Sequence, residues 1–91
     1  MKFEWQVQKA EANYNKHGVR FPESLPIFED DFAITITDDE SDPNGQRFVS
    51  IGMGVRGQLL VVIYTYREAS IRIISVRPAE PREIRQYEEN R

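Results

Sequence analysis

The stretch LLVVIYTYREASIRIISVR, residues 59–77, constrains the fold of this chain more than any other. Residues 59–66 are almost wholly apolar and rich in β-branched and aromatic side chains. They predict a strand buried on both faces in the middle of a sheet. Residues 71–76 have the same character apart from Arg72 and Ser75, and a short turn at Glu68, Ala69 and Ser70 joins the two runs. Arg72 stands between two isoleucines, where a strand has no packing reason to carry charge. With Arg77 at the strand end, it marks the place where function is expected to meet the core.

At 91 residues the chain predicts one domain, residues 1–91, with a single core of modest depth. A formal net charge of −3 is not that of a protein that tracks phosphates over a wide basic surface. The absence of cysteine excludes disulfides and thiolate metal sites, and one histidine excludes a multi-histidine zinc site. No apolar run near the start is long enough for a signal peptide or a membrane span, so a soluble, cytoplasmic protein is expected, without metal or cofactor.

Taken in order, Phe3, Glu4 and Trp5 alternate as a short edge strand. Residues 7–17 carry Val7, Ala10, Tyr14 and His17 at helical spacing, with Lys9, Glu11, Asn13 and Lys16 on other faces, and Gly18 stops the helix. His17 falls in the last turn, either as a capping or packing residue or as a functional one. Residues 21–28, FPESLPIF, predict a short second helix, partly 3₁₀ because of Pro26, with Leu25 and Phe28 under the sheet. Glu29, Asp30 and Asp31 read as a solvated acidic turn. Residues 33–37 form a strand. The acidic run 38–45, with Pro43 and Asn44-Gly45, reads as a hairpin loop, since the order of a calcium-binding EF-hand is missing. Residues 47–53 form the next strand. Gly52, Gly54 and Gly57 then mark a turn; a strand follows where a nucleotide loop would need a helix. Pro81 opens a charged terminal helix whose apolar stripe is only Ile84 and Tyr87. So narrow a stripe predicts the least firmly held element. Three helices grouped apart from consecutive strands give an α+β class, with an antiparallel sheet, two N-terminal helices and one C-terminal helix.

Several of these stretches together resemble one family. They are Lys16-His17-Gly18-Val19 with Phe21, the strand RFVSIG from Arg47, the run LVVIYT from Leu60, the run IRIISVR from Ile71 and Tyr87-Glu88-Glu89. In this order they resemble the BrnT family of type II toxins, from Trp5 to Glu89. The resemblance implies a RelE-like fold and a ribonuclease that halts translation. It also implies a BrnA-like ribbon-helix-helix antitoxin as partner, through which alone operator DNA is reached.

RNA cleavage by side chains requires a proton acceptor at the 2′-hydroxyl and cations that stabilise a doubly charged phosphorane. Arginine suits the second task, being always protonated and fork-shaped. The expected catalytic set is His17, Arg72, Arg77 and Tyr87, with Arg47, Arg67 and Lys16 binding substrate; Glu83 and Tyr87 are substitutes for His17 in proton transfer. Regular alternation puts Arg72 and Arg77 on opposite faces unless a bulge intervenes. The structural alternative for Arg72 is an ion pair with a carboxylate of the last helix such as Glu83. The acidic balance also motivates a second function, a toxin-like protein of little catalytic power that holds an antitoxin and tunes its DNA binding.

Overall fold

The computed structural model describes residues 1–38 and 46–91. The elements are β1 (Lys2–Glu4), α1 (Val7–His17), a 3₁₀ helix (Phe21–Glu29), β2 (Ile34–Thr37), β3 (Arg47–Met53), β4 (Leu59–Arg67), β5 (Ser70–Pro78) and α2 (Pro81–Asn90). This is the expected order, and the stretch 59–77 supplies β4 and β5. The loop expected over 38–45 lies, from residue 39, outside the described residues.

The five strands form one sheet in the order β1-β5-β4-β3-β2. Three pairings are antiparallel, as expected, but β1 runs parallel to β5, so the sheet is mixed and not wholly antiparallel. The reason is topological: β1 precedes α1 and reaches the free side of β5 only by lying alongside it.

One sheet face carries the main core. Val62, Tyr64, Ile71, Ile73 and Val76 pack there against Val19, Phe21 and Ile27. The 3₁₀ helix buries Phe21, Ser24 and Ile27, a spacing of three that matches three residues per turn. Leu25 and Phe28 are only partly buried. Gly52 lets this helix approach β3, because a Cβ there would stand 2.8 Å from Ile27 Cγ2. Rings of Phe3, Phe28, Tyr64, Phe48 and Tyr66 extend the core toward the β4–β5 turn, with centroids 4.8–5.9 Å apart.

Helix α1 lies on the main-core side and ends as expected at Gly18, whose φ is +71°. Its phase differs from expectation. Val7 and Tyr14 are exposed, and Asn13 is buried. The backbone explains the exchange. Strand β1 pairs with β5 only as far as Arg72, leaving the outer edge of β5 beyond it without a strand. The Asn13 amide takes the strand's place. It donates to Val76 O at 2.8 Å and accepts from Val76 N at 3.0 Å, and it also donates to Val19 O at 3.0 Å. Helix packing therefore follows the edge that must be paired.

Helix α2 covers part of the opposite face, where Tyr87 packs with Ile51 and Val61. Beyond its narrow apolar stripe it is held by hydrogen bonds. The Tyr87 hydroxyl donates to Asp30 Oδ2 at 2.8 Å and Asn90 Nδ2 donates to Phe32 O at 3.0 Å. Asp30, expected as part of a solvated turn, also accepts from Phe32 N and Met53 N. It thus ties the 3₁₀ helix on one face to α2 on the other, around the end of β3. These hydrogen bonds outweigh the burial that opposes them and hold the Asp30 carboxyl below its ordinary range.

Candidate active site

The α2-bearing face can be read row by row from the strand register. Beneath α2 lies the row Ile34, Ile51, Val61, Arg77. Beyond it come Ile36, Val49 and Ile63. The next row is Arg47, Thr65, Arg72, Glu4, and the last is Arg67, Ser70, Lys2. The face thus runs from apolar under the helix to strongly basic at the end near the β4–β5 turn. Strands are spaced about 4.8 Å apart, so Arg47 and Arg72 rise from backbones about 10 Å apart.

A bulge puts Arg72 and Arg77 on this one face. Ile63 pairs with Ser75 and Tyr64 with Ile73, so Ile74 is an extra residue in β5. Five positions separate the two arginines, and in a regular strand that odd number would send them to opposite faces. The inserted residue restores a common face. Nothing in the local sequence marks Ile74 as the extra residue.

The two arginines are in different chemical states. Both Arg77 terminal nitrogens donate to Glu83, at 2.8 Å to each carboxylate oxygen. That bidentate pair raises the Arg77 pKa and lowers that of Glu83. Glu83 thus pairs with Arg77, and the ion pair anticipated for Arg72 is made by its neighbour. Arg72 makes no hydrogen bond among the described residues. Its Nε is sealed from solvent without a partner, and the nearest carboxylate oxygen, Glu4 Oε1, stands 3.8 Å away. The side chain remains 30% exposed, so the outer end of its fork is open.

The other expected site residues divide by position. Arg47 and Arg67 share the open face with Arg72. Lys16 and His17 end α1, which packs against β5 from the main-core side, across the sheet from these arginines. Tyr87 is 2% exposed and its hydroxyl is held by Asp30; burial, and after it that bond, raises its pKa. The structure therefore brings Arg47, Arg67 and Arg72 together and leaves His17, Lys16 and Tyr87 apart from them. Sequence reasoning passed over Glu4 and Thr65. The signal for both was strand alternation: Glu4 sits between Phe3 and Trp5 as Arg72 sits between Ile71 and Ile73. Among the described residues no group of three or more His, Cys, Asp or Glu side chains is placed to hold a metal ion.

The structure defines a small α+β domain whose sheet face beyond α2 is basic and, among the described residues, covered by no other element. The chain is similar to the crystal structure of the Brucella abortus ribonuclease toxin BrnT, with a TM-score of 0.72 and 24% sequence identity, over 88% of this chain and 97% of that one. Among curated proteins no sequence matches this chain. The family described as "Ribonuclease toxin, BrnT, of type II toxin-antitoxin system" matches residues 5–83. The chain belongs to the BrnT family. Membership in a type II system implies an antitoxin partner. No helix among the described residues is long and apolar enough to cross a membrane.

Proposed function

We propose that the whole chain is one RelE-like toxin domain that acts in the cytoplasm as a metal-independent endoribonuclease, cutting RNA and so stopping translation. The observation that carries this reading is the Arg72 guanidinium, without a hydrogen bond, in the row Arg47, Thr65, Arg72 on the part of the face that no described element covers. Nε itself is sealed, but the outer end of the fork is open and closed by no carboxylate, so a phosphate there would meet an available guanidinium. Arg47 and Arg67 flank it and hold the neighbouring phosphates. Arg77, closed on Glu83, pins α2 in place.

The antitoxin is proposed to be a BrnA-like ribbon-helix-helix protein that lays acidic side chains over this row. Operator DNA is then reached through the antitoxin alone. Covering the row blocks RNA and satisfies Arg72 with one contact.

The test is cleavage of a defined RNA by purified protein in the presence of EDTA, with cell-free translation in parallel. Wild type is expected to cut the RNA and stop synthesis, and Arg72→Ala to do neither while remaining folded. Equal cutting by the two proteins would overturn the reading, as would inertness of the wild type at micromolar concentration.

A further inference from the structure

RNA cleavage needs a base as well as a cation, and the candidates expected for that role are badly placed. His17 lies across the sheet from the arginine row, Tyr87 is buried, and Glu83 is spent on Arg77. Glu4 is the remaining proton acceptor on the row itself. It is the register partner of Arg72 across the parallel β1–β5 pairing, and its side chain is 40% exposed.

Two arginine–carboxylate pairs on the same sheet face show what is unusual here. Arg77 and Glu83 meet at 2.8 Å on two bonds. Arg72 and Glu4 stand at 3.8 Å with no hydrogen bond, although they are direct neighbours in register. A pair built to hold strands together would close, as the other one does. Both side chains stay part exposed, 30% for Arg72 and 40% for Glu4, so a phosphate reaching the outer end of the Arg72 fork would bring its nucleotide's 2′-hydroxyl beside the Glu4 carboxylate.

We propose that Glu4 is the general base of the cleavage reaction, an assignment that rests on the ribonuclease reading above. The 2′-hydroxyl passes its proton to the Glu4 carboxylate as its oxygen bonds to phosphorus. Arg72 carries the charge that builds on the phosphorane oxygens. The bond from phosphorus to the 5′-oxygen breaks, its electron pair leaves with that oxygen, and water supplies the proton there. The products are a 2′,3′-cyclic phosphate and a 5′-hydroxyl, and Glu4 returns its proton to solvent.

The experiment compares wild type, Glu4→Gln and Glu4→Asp on one RNA. It measures cleavage rate against pH, affinity for a copy of the RNA with 2′-deoxyribose at the cut site, and product end groups. Glu4→Gln is expected to slow cleavage 10²–10⁴-fold, to bind the deoxy copy within threefold of wild type and to lose the acidic limb of the pH–rate profile. Glu4→Asp, with a shorter reach, keeps that limb at a reduced rate. Glu4→Gln cleaving within threefold of wild type would overturn the assignment and leave the ribonuclease reading standing. So would an equal loss of binding and cleavage, or a product without a cyclic phosphate. A wild type that cuts no RNA would overturn both.

Discussion

Replacing Asn13 by alanine should cost far more than a polar residue on a helix normally would. The substitution strips partners from Val76 N, Val76 O and Val19 O at once, and Ser75 Oγ loses its acceptor as well. Asn13 is 7% exposed and Val76 is fully buried, so water replaces these partners poorly. A buried group left unsatisfied costs about 1–3 kcal/mol. Carbonyls tolerate loss better than N–H groups, and the strand edge can relax, which brings the total to roughly 2–5 kcal/mol. A chain of this size is expected to be stable by about 5–14 kcal/mol, so a substantial share of that margin is at stake. Urea unfolding measures it directly. With a slope of roughly 2 kcal/mol/M, the midpoint should fall by about 1–2.5 M at unchanged slope. Asn15→Ala, on the exposed side of the same helix, supplies the control and should move the midpoint by less than about 0.3 M. If Asn13→Ala behaves like its control, the view that an amide side chain completes the sheet edge is wrong.

Three further outcomes follow from the same structure. Asp30, Glu23 and Glu83 all have depressed carboxyl pKa values. Unfolded, they take up protons near pH 4, and folded only below that. Their contribution is therefore full above about pH 5 and drains away as pH falls through the folded values, so the thermal midpoint should drop steeply below about pH 4, and Asp30→Asn should flatten that drop. Gly52→Ala forces a Cβ to 2.8 Å from Ile27 Cγ2 and 3.2 Å from Asp30 Oδ2; overpacking of this kind costs about 1–3 kcal/mol, a fall of roughly 5–20 °C in calorimetry. Arg77→Ala breaks both hydrogen bonds to Glu83 and should lower stability by about 1–3 kcal/mol while RNA affinity of the folded protein holds. Arg72→Ala should do the reverse, with stability within about 1 kcal/mol of wild type and RNA affinity lost. A single phenotype shared by the two arginine variants would sink the distinction between them.

The element order and the central hairpin were legible because they rest on local signals. Runs of β-branched residues, Gly18 after a helix and Pro81 before one act within a few positions of themselves. What stayed hidden depends on partners far along the chain. Asn13 reads as solvent-facing until β1 stops short on β5, 63 positions from the helix residue that completes the pairing. Asp30 reads as a turn carboxylate until Tyr87 arrives from 57 positions away. The parallel course of β1 is a property of the assembled sheet. The candidate site was legible in part: the arginine between isoleucines and the strand ends drew attention to Arg72, Arg47 and Arg67, which the register places on one face. The proposed base was not, because His17 has the side chain most often used for proton transfer and Glu4 has one of the commonest side chains on any surface.

The bulge at Ile74 reconciles a contradiction in the strand. An arginine inserted into a buried strand would ordinarily be closed by a carboxylate, and this fold is able to do that, since Arg77 is closed by Glu83 on the same face. The carboxylate beside Arg72 is also present, yet it stands 3.8 Å off and leaves Nε sealed and unbonded. The deficit is thus not for want of a partner. Violations of a local rule that the fold has the means to repair are concentrated where a ligand completes the structure. Beneath α2 this face is apolar and settled. At the other end it holds a cation and a carboxylate 3.8 Å apart with no hydrogen bond between them. Position 72 is where the proposed binding would act, at the outer end of the fork that remains open to a phosphate or to the acidic surface of an inhibitor.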